Sequence, residues 1–258
     1  MFRLALVVVI IGALVTGCGR AVLSENRSEE LENNDSSLSA VNLNAEQAEL
    51  AFLFGIDHSR LAEQSGEVLD ASEVRLYSNS RVNSLILQDN IRAGLDLPYR
   101  IQAFHHQGQA QVVYTSSAFL AARHGLKNVA PLRQFDDDLN QLLRGIPNAK
   151  SIPGAGITLN YGLVELDSAL GFADTVKSLR SAILSEADTV WFYDLDYQRE
   201  AKLQGVKLPS AQLLVFGAPA PGATAMRAYP SIGLDAFGQK VLVYQQGDTV
   251  KVIYNDIP

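Results

Sequence analysis

Asp57 and His58 are the adjacent residues of this chain best suited to move a proton. A carboxylate beside an imidazole supplies a general acid or base for a hydrolase or an isomerase, and Asp96 is a third residue expected to line the same pocket. The alternative interpretation is structural. Asp57 stands where a predicted strand turns into a predicted helix, and Asp196 occupies the same place in a later segment, so both carboxylates would cap helices.

Other kinds of reactive site find little support in the sequence. All four histidines lie between residues 58 and 124, but His105 and His106 are strand neighbours that point to opposite faces, and no His-x-His or His-x-x-x-His pair occurs. Gly-x-Ser-x-Gly, Cys–His and glycine-rich nucleotide motifs are also absent. We therefore expect no metal and no other cofactor, and the sequence identifies no catalytic residue.

The N-terminus has the features of a bacterial lipoprotein precursor. Arg3 precedes an apolar run at 4–15, which is too short to span a bilayer and typical of a signal peptide. Residues 14–18, Leu-Val-Thr-Gly-Cys, resemble a lipobox, in which removal of 1–17 leaves a lipidated Cys18. The alternative is that Cys18 follows an ordinary signal peptide by chance.

Lipidation of Cys18 would make the bilayer a partner of this protein. We expect a cell-envelope location on the non-cytoplasmic side. Because Gly19 rather than Asp follows the cysteine, we expect the periplasmic face of the outer membrane if the cell is Gram-negative.

Residues 18–40 are predicted to form an acidic flexible tether. Their composition is too polar to offset the entropy of ordering a chain. The whole chain carries a formal net charge of −7, which argues against nucleic acid as a partner, because affinity for phosphates comes from Lys and Arg. The remaining residues suffice for two cores of about 100 residues each.

The chain contains one domain twice. Residues 51–108 align with residues 190–247 without a gap at an offset of 139, and ten of the 58 paired positions are identical. A period this long indicates a duplicated globular domain, since solenoid repeats run at roughly 20–50 residues. We predict a first domain at 41–147, a linker at 148–156 and a second domain at 157–258.

Hydrophobic periodicity predicts an α+β order that the two copies share, except that the opening strand and helix of the second copy are not recognisable in the first. In the second copy, helical spacing predicts helices at 172–185 and 196–205, and alternation predicts strands at 157–166, 190–193, 213–216, 240–244 and 250–254. The first copy repeats the 196–205 helix at 57–66, adds helices at 117–124 and 131–144, and has strands at 52–54, 74–77, 101–104 and 112–114. Glycines and prolines at 217–222 predict a loop. The order indicates two tandem two-layer domains, each an antiparallel-rich sheet with helices on one face.

Short motifs in the same order in each copy resemble the family called domain of unknown function 302. The first copy shows Ile56-Asp57-His58 and Leu95-Asp96-Leu97-Pro98, and the second shows Leu195-Asp196, Phe216-Gly217-Ala218-Pro219 and Gly233-Leu234-Asp235. The resemblance implies small two-layer α+β domains, similar in topology to the TATA-binding-protein fold, that tend to pair as dimers. It implies no reaction.

Duplication and resemblance together predict a monomer whose two domains form an internal pseudo-dimer. Each copy keeps a different part of the family pattern. If a site needs all the motifs within one domain, neither copy has it intact; if the two domains face each other, one composite site would lie in the interdomain groove. Its candidate ligand-binding residues are Asp57, His58, Asp96, Asp196, Gly217, Pro219 and Asp235. We predict a non-catalytic module that binds a small molecule or an envelope protein there. The alternatives are a hydrolase or isomerase that uses Asp57 and His58, and a purely structural envelope lipoprotein.

Overall fold

The computed structural model describes residues 15–235 and 239–256, with side chains from Asn26 onward, and contains two α+β domains. The first comprises α1 (Val15–Gln47), β1 (Ala51–Asp57), α2 (His58–Gln64), β2 (Ser72–Ser78), α3 (Ser80–Asp89), a 3-10 helix (Ile91–Leu95), β3 (Tyr99–His106), β4 (Gln109–Tyr114), α4 (Ser117–His124), α5 (Val129–Leu142) and β5 (Ala149–Ser151). The second comprises β6 (Leu163–Ser168), α6 (Phe172–Ser185), β7 (Val190–Asp196), α7 (Tyr197–Leu203), β8 (Ala211–Gly217), α8 (Pro219–Ala228), a 3-10 helix (Pro230–Asp235), β9 (Lys240–Gln246) and β10 (Thr249–Asn255). The predicted α+β class is confirmed.

Each domain is built on one five-stranded sheet. The first sheet has the order β1-β2-β3-β4-β5 and the second has the order β6-β10-β9-β8-β7. Strands β1 to β4 correspond to β7 to β10, and β1 and β7 carry an irregularity at the same point. The fifth strand differs, because β5 joins its sheet parallel to β4 whereas β6 joins antiparallel to β10.

The strand registers correct the alignment of the two copies. Ser72 of β2 pairs with Phe104, whereas Ala211 of β8 pairs with Tyr244. The offset is therefore 139 residues between β2 and β8 but 140 between β3 and β9. The gapless alignment holds through the 3-10 helices and is wrong in the hairpins that follow, because the second copy has one extra residue before β9.

The predicted tether at 18–40 is wrong, because this segment belongs to α1. Asn34, Leu38, Val41 and Ala45 recur at helical spacing and are buried against the first sheet. The Asn34 amide donates to the carbonyl oxygen of Ala103 at 3.0 Å. A narrow buried stripe is enough to order a helix whose other faces are polar, since packing rather than composition supplies the stability. Residues 1–14 of the predicted signal peptide and the side chain of Cys18 lie outside the described residues.

Two other segments predicted to be irregular are ordered. The linker at 148–156 contains β5, which completes the first sheet. The segment at 217–222 ends β8 and begins α8, with Pro219 at the start of the helix. Prolines are compatible with the first helical turn, because the N–H groups there have no partner within the helix. The strand predicted at 157–166 begins only at Leu163.

Both sheets are covered on both faces. Along β3, Tyr99 stacks on Phe135 of α5. Gln102, whose side chain is on the opposite face of the strand, donates to the carbonyl oxygen of Pro230 in the other domain. Along β9, Val241 and Val243 belong to the cluster beneath α6, and Leu242 between them faces Gly94 of the first domain. Helices cover the outer faces of the sheets, and the inner faces cover each other.

The interface between the domains is reciprocal. The Tyr197 hydroxyl donates to the carbonyl oxygens of Gly94 and Leu97, both at 2.8 Å, and Nε2 of His58 donates to the carbonyl oxygen of Gly233 at 2.8 Å. Residues 58 and 197 are equivalent, and so are the two glycines. A patch that contacts its own counterpart in this way is the signature of an isologous dimer interface.

Other contacts obey the same pseudo-twofold symmetry. Helix α2 packs on α8, and α7 packs on α3. Phe54 and Tyr193, which occupy equivalent positions, stack with ring centroids 4.5 Å apart. One hydrophobic core cluster contains residues of both domains, so the chain forms an internal pseudo-dimer. Within the described part of the chain, no helix is long and apolar enough to cross a membrane.

Adding one methyl group to either interface glycine should destabilise the protein. A Cβ at Gly94 would lie 2.9 Å from a ring carbon of Tyr197, and a Cβ at Gly233 would lie 2.6 Å from the Met226 methyl carbon. Gly94→Ala and Gly233→Ala should each lower the free energy of unfolding by about 1–3 kcal/mol in urea denaturation. Gly154→Ala is the control, because its nearest neighbour would be at 3.7 Å. Equal stability of all three variants would contradict the close approach.

Candidate functional site

A pocket of about 370 Å³ opens where the two domains meet. Its apolar wall consists of Phe119, Ile152, Tyr161, Ile232 and Leu234. Its polar lining consists of Asp96, Thr115, Arg123, Ser231, Asp235, Asn255 and Asp256. Several of these residues come from equivalent ends of equivalent elements, so the pocket straddles the pseudo-twofold axis.

Two carboxylates and two cations meet at that axis. Lys240 Nζ lies 2.8 Å from Asp96 and 2.6 Å from Asp235, and Arg100 pairs with Asp235. Under the corrected offset, Arg100 and Lys240 occupy equivalent positions, as do the two aspartates. The charges between the domains are thus balanced by a symmetric exchange of ion pairs, which offsets part of the cost of taking them out of water.

Arg123 extends this ionic cluster along the pocket. Its guanidinium group makes a bidentate contact with Asp96 at 2.8 and 2.9 Å. It also donates to the carbonyl oxygens of Tyr161 and Gly162 and to the side chain of Asn255. Arg123 lies in the last turn of α4, so its contacts connect the first domain to the end of the second sheet where β6 begins and β10 ends.

The ionic surroundings of Asp96 keep it ionised. Burial is the largest influence and raises the pKa, but the charge of Lys240, the hydrogen bond from His124 at 2.6 Å and the charge of Arg123 together hold the pKa well below its usual range. The pKa of Asp235 is also lowered, because Lys240 and Arg100 outweigh the opposing effect of burial. The pocket therefore presents fixed carboxylates at neutral pH.

Asp57 and His58 do not join Asp96 in a shared site. The Asp57 carboxylate caps α2 by accepting from the Arg60 N–H at 2.8 Å, and it also pairs with the Arg60 side chain. His58 is fully buried at the domain interface. Neither residue lines the interdomain pocket. The capping interpretation of Asp57 is confirmed, and the hypothesis of a common pocket for these residues and Asp96 is wrong.

The remaining candidate residues divide in the same way. Asp235 lines the pocket, whereas Asp196 caps α7 by accepting from the Arg199 N–H at 2.9 Å. Gly217 is the last residue of β8, where that strand pairs with β7, and Pro219 begins α8. Neither residue lines the interdomain pocket. A binding role for any of these residues stays a prediction.

Most polar residues of the pocket and its ionic cluster were not among the candidates. They are Arg100, Thr115, Arg123, His124, Ser231, Lys240, Asn255 and Asp256. Arg100 and Lys240 stand at the start of apolar strands, where a charge is unremarkable without knowledge of the partner domain. The only available signal was an alignment with the correct gap, which would have paired these two cations.

One acidic cluster outside the pocket has the ligand types of a metal site. Asp35, Asp57 and Glu73 place carboxylate oxygens within 4.8 Å of one another. Arg60 contacts the first two and Arg75 contacts the third. Arginine side chains therefore already supply the positive charge that these carboxylates require.

The buried imidazole of His58 should make stability depend on pH. Burial lowers its pKa to about 4 from an ordinary value of 6.5, despite the hydrogen bond to Gly233. Below pH 6.5 the unfolded chain binds this proton and the folded chain does not, so stability falls until about pH 4. We expect this linkage to remove about 3 kcal/mol between pH 7 and pH 4.

Urea denaturation of His58→Gln across this pH range provides the measurement. The variant should lose less stability than the parent chain on acidification, whereas Gln109→Ala, which changes no titratable group at the exposed start of β4, should retain the parental slope. The lowered pKa values of Asp96 and Asp235 begin to reduce stability only below about pH 5, and they do so equally in both chains. Parallel curves for His58→Gln and the parent chain would contradict the assignment.

Comparison with known proteins gives partial matches and one family. Seventy-two residues are 32% identical to the Fluoride-specific ion channel FluC 1 of Brucella suis biovar 1 and to FluC 2 of Brucella melitensis biotype 1. The aligned part covers 28% of this chain and 28% and 27% of those proteins, so the chain spans little more than a quarter of these curated relatives.

The crystal structure of an uncharacterized conserved protein DUF302 from Bacillus stearothermophilus superposes with a TM-score of 0.34 at 17% sequence identity. It covers 37% of this chain and 73% of that chain.

The family match extends over most of the chain. Residues 28–146 and 164–258 each match the family described as Domain of unknown function DUF302, one segment for each structural copy. The first matched segment begins within α1, in agreement with the packing of that helix on the first sheet. The chain therefore belongs to the DUF302 family and contains its domain twice.

Proposed function

We propose that this protein is a non-catalytic binding module that holds a small molecule in the interdomain pocket. The observation that carries the proposal is a cavity of about 370 Å³ whose apolar wall surrounds a few fixed polar groups from both domains. Pockets of roughly 300–1,000 Å³ with this division of lining are typical of small-molecule sites.

The state of the acid–base residues supports binding rather than catalysis. Asp96 is buried and engaged by Arg123, His124 and Lys240, and its lowered pKa makes it a poor proton acceptor. His58 has the lowered pKa of a buried structural imidazole and no exposed surface. A general base needs access to substrate and a pKa near the working pH. Asp96 lacks the required pKa, and His58 lacks both the required pKa and the access.

Native mass spectrometry of the chain purified from cells tests this proposal. The parent chain should carry an additional mass that is lost on denaturation. Ser231→Trp, which places an indole on an exposed lining residue of the pocket, should lose that mass, and Ser231→Ala should retain it. A parent chain whose mass does not fall on denaturation, or an equal loss of mass in the tryptophan variant, would contradict the proposal.

We further propose that the module is a lipoprotein of the cell envelope, anchored through Cys18. The support comes from the apolar run at 4–15 and the lipobox-like residues before the single cysteine. Two or more acyl chains on one residue give stable membrane attachment, which a single chain does not. Attachment at Cys18 would connect the bilayer to α1, which begins at Val15 and contacts the first domain from Arg27 onward.

Lipidation should depend entirely on the Cys18 thiol. In a bacterial host, the mature parent chain should begin at Cys18 and exceed its polypeptide mass by the mass of the attached acyl groups. Cys18→Ser should show no such addition, because a serine hydroxyl does not form the thioether. Intact mass measurement of both chains provides the test. A parent chain of unmodified mass that begins elsewhere would contradict the anchor.

A further inference from the structure

The groups that line the interdomain pocket differ in their remaining capacity for hydrogen bonds. Arg123 is the lining cation, and its five N–H donors match five acceptor contacts. The Nε group donates to Tyr161, one terminal nitrogen donates to both Asp96 oxygens, and the other donates to Gly162 and Asn255. No donor of Arg123 remains for an anionic ligand.

The other cations of the cluster are also withdrawn from the pocket. Arg100 and Lys240 are not among its lining residues, and each side chain is only 3% exposed. Lys240 contacts both Asp96 and Asp235, and Arg100 contacts Asp235 and the carbonyl oxygen of Leu95. An incoming carboxylate or phosphate would have to break buried ion pairs to reach either cation, which is costly.

The accessible charged groups of the pocket are carboxylates. The Asp235 side chain remains 30% exposed, and its Oδ2 accepts only a long contact of 3.3 Å from Asn255 within the described part of the chain. Asp256 lines the pocket and is exposed. The region contains three formal negative charges and three formal positive charges. Because the positive groups are buried and their donors are already engaged, a ligand in the pocket encounters mainly negative charge.

We infer that the pocket selects a small amphiphilic cation, a molecule with an apolar body and one protonated amine. The amine donates to the Asp235 and Asp256 carboxylates, and the apolar body packs against Phe119, Ile152 and Ile232. This inference rests on the proposed function, because it assigns a ligand class to the same pocket. An ammonium group supplies three donors and no acceptor, which complements a lining that has spare acceptors and no spare charged donor.

A matched series of probes tests the ligand class by isothermal titration calorimetry on the full chain. The probes are 4-butylbenzylamine, 4-butylbenzyl alcohol and 4-butylbenzoate, which share one apolar body and differ in charge. The amine should bind at least fivefold more tightly than the alcohol, and the benzoate should bind most weakly. Asp256→Asn should weaken amine binding about three- to fivefold without changing alcohol binding.

Two control variants separate the outcomes. Asp188→Asn removes one negative charge from an exposed position outside the pocket and should leave the amine affinity unchanged. Ser231→Trp should abolish binding of all probes. Equal affinities for amine and alcohol, tightest binding of the benzoate, or equal losses in both asparagine variants would overturn the ligand class while leaving the pocket intact. Binding of no probe, or undiminished binding to Ser231→Trp, would overturn the proposed function as well.

Discussion

The structure depends on the mutual burial of the two inner sheet faces. Each domain covers its outer face with its own helices, but residues such as Leu242 and Gln102 need the other domain to remove them from water. Close approach is feasible because Gly94 and Gly233 present bare backbone to the rings of Tyr197 and His58. The hydrogen bonds from those rings then satisfy carbonyl groups that burial would otherwise leave without a partner. Neither domain has this solution by itself.

The same constraint explains why charged residues occupy the centre of the interface. The pseudo-twofold axis brings Asp96 and Asp235 to the same Lys240 ammonium group, and two like charges placed in this way need cations between them. Arg100 and Lys240 arrive from equivalent positions at the beginning of β3 and β9. Arg123 then engages the remaining Asp96 acceptors and forms one side of the pocket. The ionic cluster and the cavity are consequences of one symmetric pairing.

The sequence predicts the fold more fully than the site, for physical reasons. Helices α4 and α6 carry an apolar stripe of regular period and were predicted with their observed bounds. Helix α1 was missed because its buried stripe is narrow and includes the polar Asn34. Helix α8 was missed because its prolines and glycine fall within its first turn, where their usual helix-breaking effect is absent.

Site prediction was limited by contacts between the domains. Asp96 and Asp235 were identified because they recur at the same place in both copies. Arg100 and Lys240 were not paired because the second copy has one additional residue before β9, which shifts the gapless alignment by one position at these two cations. The buried role of His58 also depends on a carbonyl group 175 residues away, which no local pattern encodes.

Because the two domains are copies within one chain, the two sides of the pseudo-twofold axis do not have to be identical. A homodimer with a pocket on its twofold axis presents every group twice, so an asymmetric molecule can enter in two indistinguishable orientations. Here the strand registers make Thr115 the counterpart of Asn255. In addition, β5 runs parallel to β4, whereas β6 runs antiparallel to β10. The two halves of the pocket are therefore chemically distinct. A molecule held there would adopt one orientation, with one molecule for each chain.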